Sequence, residues 1–427
     1  MNTLRLNPWW VVAAAAVILA YNMGIRLSTS LLIPTINQDI GISQSELAFG
    51  FAVQNLVWGA VSPVAGLMAE RYGTVKVLLA GAVLYGLGLV MSALADSGSL
   101  FFMGNAIFIG VGVGASTFPI VLAAVGKRFP VQKRTLALGV ASAGGSLGQF
   151  GYAFALGQLN PMVGWSDTLL IFAGTTLVVF ALAGLLKDEP KDKDLKDKHG
   201  KDGQGEDQAG NNSAGTVTAD KQKQPLFDWQ AIGDAFKVRD YQLLNIGFFV
   251  CGFHVAFITV HMAGFVNLCG LPASVATNSI ALIGLVNVIG SIAAGWAGDR
   301  WHKPYLLTLI YGTRTLLIIM LMVLPKTYET FYLFSVVMGM LWLSTVPLTS
   351  GCVAHLFGTK NLASLFGIVM FSHQIGAFFG SWWGGLLFDW FGDYSLALSM
   401  SAGFGLLAAL VHLPMTPKRF VAAKAST

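Results

Sequence analysis

Charge is scarce in this chain: of 427 residues only 11% are Asp, Glu, Lys or Arg, against about 25% in an ordinary soluble domain. Together with 55% hydrophobic residues and a mean hydropathy of +0.65, that scarcity excludes a soluble globular protein. Cysteine is scarce too. Cys251, Cys269 and Cys352 are odd in number and lie in or beside apolar runs, which excludes a disulfide framework and a thiolate metal cluster and leaves them as packing residues. No nucleotide-cradling glycine loop, metal-ligand cluster or nucleophile–base pair occurs, so neither enzymatic activity nor a cofactor or metal is expected. The net charge of +5 would suit a nucleic acid, but most basic residues sit in short segments between apolar runs, so no nucleic-acid partner is expected.

What the chain does have is long apolar runs, and a helix needs roughly 20 apolar residues to cross a bilayer. Such runs occupy about 9–34, 46–69, 74–95, 99–126, 135–158 and 166–186, then 241–266, 273–297, 304–325, 330–355, 361–388 and 394–414. The first is too long for a cleaved signal core and is expected to be retained. The fold class is therefore an all-α membrane protein with twelve transmembrane helices. Most of the fifty glycines fall inside these runs, where small residues let membrane helices pack closely.

Alternate loops differ in charge. Arg71, Lys76, Lys127, Arg128, Lys133, Arg134, Arg300, Lys303 and Lys360 share one side with Arg5, Lys418, Arg419 and Lys424 of the termini. The opposite loops carry Asp39, Glu46, Asp96, Asp167, Asp389 and Asp393, with Lys326 as their clear basic residue. The excess of Lys and Arg places both termini in the cytoplasm, and the inner membrane of a bacterium is the expected location. Between the halves, 187–225 reads as a disordered polar linker. Phe227, Trp229, Ile232 and Phe236 then recur at helical spacing, as in a short helix lying on the membrane surface. Three parts follow: a six-helix bundle over 1–186, a linker over 187–240 and a second bundle over 241–427.

The halves echo one another. Gly66 opens GLMAERYG and Gly295 opens GWAGDRWH, 229 residues apart. Ser116-Thr117-Phe118-Pro119 returns as Ser344-Thr345-Val346-Pro347, Gly139 as Gly367, and Gly148 as Gly376, each 228 apart. Four registrations at nearly one offset imply two pseudo-symmetric six-helix bundles. The segment GLMAERYGTVK, with Glu70 for the usual Asp, resembles the signature loop of the major facilitator superfamily, and the second copy carries Asp299-Arg300. That resemblance implies two bundles rocking about a site near the bilayer midplane. It also gives Glu70, Arg71, Asp299 and Arg300, at the cytoplasmic helix ends, a role in a gate between the bundles.

An ionisable group within a span is a functional candidate. Arg26 stands deep in the first helix with no acidic residue in that span, and Asn22, Thr29 and Ser30 share its face. A guanidinium holds a carboxylate by two parallel hydrogen bonds, which makes Arg26 an anion anchor. The repeat offset carries Arg26 onto His254, so the two are expected to face one cavity. His261 follows two turns later. A histidine there can donate to substrate or carry a proton, so His254 and His261 are the proton-coupling candidates. His373 and Gln374 in the eleventh helix are further substrate candidates. Arg314 in the ninth helix is expected to bind a helix end or backbone carbonyls. Gln54, Asn55, Asn287 and Ser291 suit either a cavity lining or interhelical bonds.

The deep ionisable groups are thus Arg and His, an electropositive cavity that selects anions. The expected substrate is a small organic anion, a carboxylate, moved by a secondary transporter with a proton as candidate co-substrate and functional as a monomer. The first-helix segment and Ile42-Ser43-Gln44-Ser45-Glu46 resemble the monocarboxylate porter branch and its oxalate/formate exchanger relatives. That branch implies an Asp and an Arg one turn apart in helix eight, where this chain has Asn287 and Ser291. The competing class is an efflux antiporter for amphipathic drugs, but its Gly-Pro-rich fifth-helix motif is replaced here by GVASAGGSLGQF.

Overall fold

A computed structural model of the chain describes residues 7–41, 44–188 and 229–415. Nearly all of the polar linker lies outside the described residues, as do Arg5, Ile42, Ser43, Phe227, Lys418, Arg419 and Lys424. Among the described residues eleven helical stretches are long and apolar enough to cross a membrane. One of them, Val131–Leu186, runs to 56 residues and breaks at Gly164, whose φ of 82° no helix contains. Twelve crossings result.

We number them α1 (Pro8–Thr29), α2 (Gln44–Tyr72), α3 (Thr74–Ala93), α4 (Gly98–Arg128), α5 (131–163), α6 (165–186), α7 (Arg239–Leu268), α8 (Ala273–Arg300), α9 (Lys303–Val323), α10 (Tyr328–Phe357), α11 (Leu362–Phe391) and α12 (Ser395–His412). Local sequence accounts for several boundaries. Asn7 caps α1 by accepting from Trp9 N at 3.1 Å, with Pro8 at the first helical position. After Thr29 the chain passes through a 3-10 turn, Ser30–Leu32, into a short helix, Ile33–Ile40. The repeated Ser-Thr-x-Pro segments interrupt α4 at Thr117 and α10 just before Thr345, because Pro119 and Pro347 remove a backbone donor.

The twofold pattern of the sequence reappears in the packing. Within the first bundle α1 crosses α5, and within the second α7 crosses α11. Gly148 permits the first crossing, since a Cβ there would meet the backbone of Ala20. Gly376 permits the second against the backbone of Phe249. Between bundles, α2 packs on α11 and α5 on α8. The other repeated glycines lie at those two seams. Gly66 approaches the backbone of Ala363 and Ser364, and Gly367 that of Pro63. Gly295 approaches Thr135 O, and Gly139 Ser291 O. Close backbone approach of this kind supplies the van der Waals contact that holds membrane helices together.

Before α7, the helix Trp229–Lys237 leaves Trp229 and Phe236 exposed and buries Ala235. Phe236 meets Tyr241 edge-on, with ring centroids 5.5 Å apart, within the roughly 4.5–7 Å usual for aromatic pairs.

Candidate substrate site and gate

Helix direction alternates, so the loops rich in Lys and Arg fall at one end of the molecule, the basic end, and the acidic loops at the other. Both interbundle seams are sealed at the basic end. Glu70, at the end of α2, accepts from Ser364 N at 2.8 Å and from Ser364 Oγ at 2.9 and 2.8 Å, at the first turn of α11. Asp299, at the end of α8, accepts from Thr135 N at 2.8 Å and Leu136 N at 2.9 Å near the start of α5. Each carboxylate thus reaches backbone amides near the start of a helix of the opposite bundle: Glu70 in the first turn of α11, where amides are unpaired and the helix dipole favours negative charge, and Asp299 in the second turn of α5. Both of these crossings run from carboxylate to backbone amide, with Ser364 Oγ adding to the first. Arg300 lies over its own Trp296 ring at 4.0 Å and donates to Trp296 O at 3.2 Å. Arg71 stacks on Tyr72 at 5.4 Å.

Farther from the basic end the α2–α11 seam continues to Gly59, against which Gln374 and Phe371 pack. The α5–α8 seam continues to Asn287, which donates to Ser146 Oγ and accepts from Leu343 N at 2.9 Å, where α10 is interrupted. Ser291 adds a bond to Asn287 Oδ1 at 3.3 Å. Above this closure sits Arg26, half-buried. Asn55 lies about 22 Å along α2 from Glu70, at roughly 1.5 Å per residue.

Arg26 donates from Nη2 to Asn55 Oδ1, and its guanidinium lies 4.8 Å from the centroid of the Trp58 ring. Asn55 and Trp58 are three residues apart, so α2 presents both on one face. Trp58 is itself fixed by donating to Thr117 Oγ1 at 3.0 Å, at the α4 break. Arg26 Nε is buried without a partner. Among the described residues no carboxylate pairs with this guanidinium. The arrangement orients a cation by a neutral amide and an indole face and leaves its charge uncompensated, which is what an incoming anion requires.

The other candidates separate into two groups. Asn22 is fully engaged: it donates to Ile18 O at 2.9 Å and Ser116 O at 3.1 Å and accepts from Ser116 Oγ at 2.8 Å. Thr29 donates to Ile25 O at 2.8 Å. Both are buried and tie α1 to itself and to α4. His254 bonds through Nε2 to Ser401 O of α12 at 2.8 Å, and His261 to Ser381 O of α11 at 2.9 Å. The shared cavity expected of Arg26 and His254 is not where the imidazole goes, because Gly405 on α12 leaves it room within its own bundle. Gln374 is one turn beyond Asn55 along the seam and keeps a buried, unpartnered Nε2. His373 beside it turns its ring to Phe248 at 4.9 Å, with Nδ1 unpartnered. Trp58 escaped the sequence reading; its spacing of three from Asn55 was the available signal.

Comparison with known proteins agrees with this architecture. The family model described as Major Facilitator Superfamily matches residues 12–381. Monocarboxylate transporter 11 of Mus musculus is 25% identical over 414 residues, 95% of this chain and 86% of that protein. The uncharacterized MFS-type transporter YhjX of Escherichia coli (strain K12) is 24% identical over 373 residues, 86% of this chain and 85% of that one. Among solved structures, the human organic anion transporter MFSD10 (TETRAN) superposes with a TM-score of 0.72 at 14% identity, covering 96% of this chain and 100% of that chain. FucP in the outward conformation gives 0.67 at 15% identity, covering 97% and 98%. Twelve helices in two sequence-related bundles, joined at glycine-lined seams and matched over most of their length by one family model, place the chain in the Major Facilitator Superfamily.

Proposed function

We propose that the protein is a secondary transporter of small monocarboxylates, working by alternating access as a monomer in a bacterial inner membrane with both termini in the cytoplasm. The observation that carries the proposal is Arg26: an oriented guanidinium within a span, with Nε unpartnered and no carboxylate beside it among the described residues. A carboxylate bound there forms charge-assisted hydrogen bonds of about 1.5–3 kcal/mol each. The relatives named monocarboxylate transporters support the same substrate class. With the seams closed at the basic end by Glu70 and Asp299, alternating access assigns entry to the opposite side, the outward-facing state under this orientation. Transport then requires both carboxylates to release the backbone amides they hold. The histidines of α7 bond to carbonyls of their own bundle, so this mechanism gives them no contact with the anion.

The test is uptake of radiolabelled lactate, pyruvate, formate and oxalate by liposomes holding the purified chain, with and without an inward proton gradient. Monocarboxylate uptake that falls about 100-fold in Arg26→Gln supports the proposal. Extrusion of a cationic dye with no carboxylate uptake overturns it and assigns the chain to the amphipathic-drug class. Stimulation by the gradient identifies proton symport, and indifference to it identifies exchange.

A further inference from the structure

Apart from the Arg26 site, a cavity of about 430 Å³ lies between the first turns of α2 and α4. It is lined by Leu47, Phe49, Phe101, Phe102, Glu46 and Asn105, with Gly50 and Gly98 leaving its walls open. That volume falls in the usual range for small-molecule pockets, roughly 300–1,000 Å³. Phe49 and Phe102 stack at 6.4 Å on one side, and Asn105 is fully buried. Asn105 belongs to the π-helical stretch Met103–Ile109, an irregularity that recurs at functional sites.

The polarity of the cavity follows from one hydrogen-bond chain. Gln54 Nε2 donates to the backbone carbonyl of Asn105 at 2.7 Å, and only a nitrogen can do so. The same nitrogen donates to Asn105 Oδ1 at 3.1 Å, which identifies that atom as the amide oxygen and leaves Nδ2 as the free end of the amide of a residue that lines the cavity. Asn105 Nδ2 is buried and has no partner. A buried donor left unpaired costs about 1–3 kcal/mol. The carboxylate of Glu46, exposed at the rim, repels an anion. The remaining surface is aromatic and aliphatic.

We propose that this cavity is a second binding site, for a small uncharged aromatic molecule carrying one hydrogen-bond acceptor, such as an aryl ketone or amide, with the acceptor on Asn105 Nδ2 and the ring against Phe49, Phe101 and Phe102. It is separate from the anion site. Gln54 and Asn55 are consecutive on α2 and so point about 100° apart, one toward α4 and this cavity, the other toward Arg26. An occupant therefore braces the helix that forms the α2–α11 seam without touching the anion.

Benzophenone, a diaryl ketone that inserts into nearby C–H bonds on irradiation, is the probe. The full chain in lipid nanodiscs is photolysed with it, and the labelled peptides are read by mass spectrometry. Labelling is expected to concentrate in 44–58 and 98–109. Acetophenone is expected to suppress it at about a tenfold lower concentration than ethylbenzene, which has similar shape and no acceptor. Gly50→Leu, which fills the cavity, and Asn105→Leu, which removes the donor, are each expected to lower labelling at least fivefold. A Cβ at Gly50 meets only Phe102, at 3.6 Å, so that variant decides the matter where Asn105→Leu aggregates for want of a partner to Gln54. Labelling unchanged by filling the cavity, or spread evenly over lipid-facing helices, overturns the site. Equal suppression by ethylbenzene also overturns it, leaving an apolar groove for lipid tails.

Discussion

Arg26 and Arg314 are both arginines within membrane spans, and their surroundings differ in one respect that decides their roles. Arg314 on α9 is fully buried. It donates through Nη2 to the carbonyls of Leu341 and Trp342, at the interruption of α10, and through Nη1 to Cys251 Sγ at 3.6 Å. Its guanidinium takes up acceptors that the broken helix leaves over, which is the structural role expected of it. Arg26 has one amide oxygen and one aromatic face. Both leave Nε buried without a partner, so the difference lies in the terminal nitrogens: those of Arg314 are taken up by two backbone carbonyls and a sulfur, whereas Arg26 spends one on a side-chain amide. Depth in the membrane, the criterion available from sequence, does not distinguish them; the inventory of acceptors does.

The sharpest way to break this comparison is to substitute both by glutamine. Arg26→Gln is expected to lose about 100-fold in carboxylate uptake with its thermal unfolding little changed. Arg26→Lys keeps the charge but loses the planar fork and is expected to retain roughly a tenth of the activity. Arg314→Gln is expected to reverse the pattern. It strands two carbonyls of α10, at about 1–3 kcal/mol each, so folded protein is lost in the melting curve before transport is. Equal losses of stability in Arg26→Gln and Arg314→Gln would dissolve the distinction.

The two seams offer the next comparison, because Glu70 and Asp299 do the same work at repeat-related positions. Glu70→Gln removes charge-assisted bonds of about 1.5–3 kcal/mol and is expected to move the equilibrium toward separation at the basic end by at least tenfold. Asp299→Asn is expected to do the same to the α5–α8 seam, and the double variant to exceed either. Spin labels on Lys76→Cys and Lys360→Cys, in a Cys269→Ser background that spares the buried thiols, report the distance between bundles. An unaltered distance distribution in both single variants would show that the glycine contacts alone close the seam.

The same seams show how much was legible in advance. The spans, the alternation of loop charge and the repeat were readable because hydropathy and spacing encode them directly. The repeated glycines Gly66, Gly139, Gly295 and Gly367 were visible as a pattern, but not as the two interbundle seams they line. The division of α5 from α6 was expected over 159–165, and the break falls at Gly164. The side-chain directions were harder. The offset of 228 carries Arg26 onto His254 in the repeat, yet a repeat fixes a helical position and not a rotamer. Gly405 and the carbonyl of Ser401 on α12 draw the imidazole away. Likewise, Asn22 shares a helical face with Arg26, but the α4 break supplies Ser116 to occupy it. Such partners come from distant sequence, which periodicity within one helix does not reveal.

The smallest expected effect concerns the outer edge of the first bundle, where α6 leads into the linker. Asp188 accepts from Thr74 N at 2.8 Å at the start of α3 and pairs with Lys127 at 3.0 Å at the end of α4. Partial burial alone would raise this carboxyl, but the Thr74 amide and the Lys127 ammonium outweigh it and hold the group below its ordinary value of 3.8. A depressed carboxylate contributes stability that is fully present above the unfolded value and is lost as pH falls through the folded one. Because the pair is about a third exposed, water screens it, and Asp188→Asn is expected to cost only a few tenths to about 1 kcal/mol at neutral pH. The difference between wild type and Asp188→Asn in thermal unfolding should therefore stay constant from pH 8 to about pH 5 and shrink only below about pH 4. A difference that already collapses between pH 7 and 5 would mean that another group, not this carboxylate, ties the end of α6 to the start of α3.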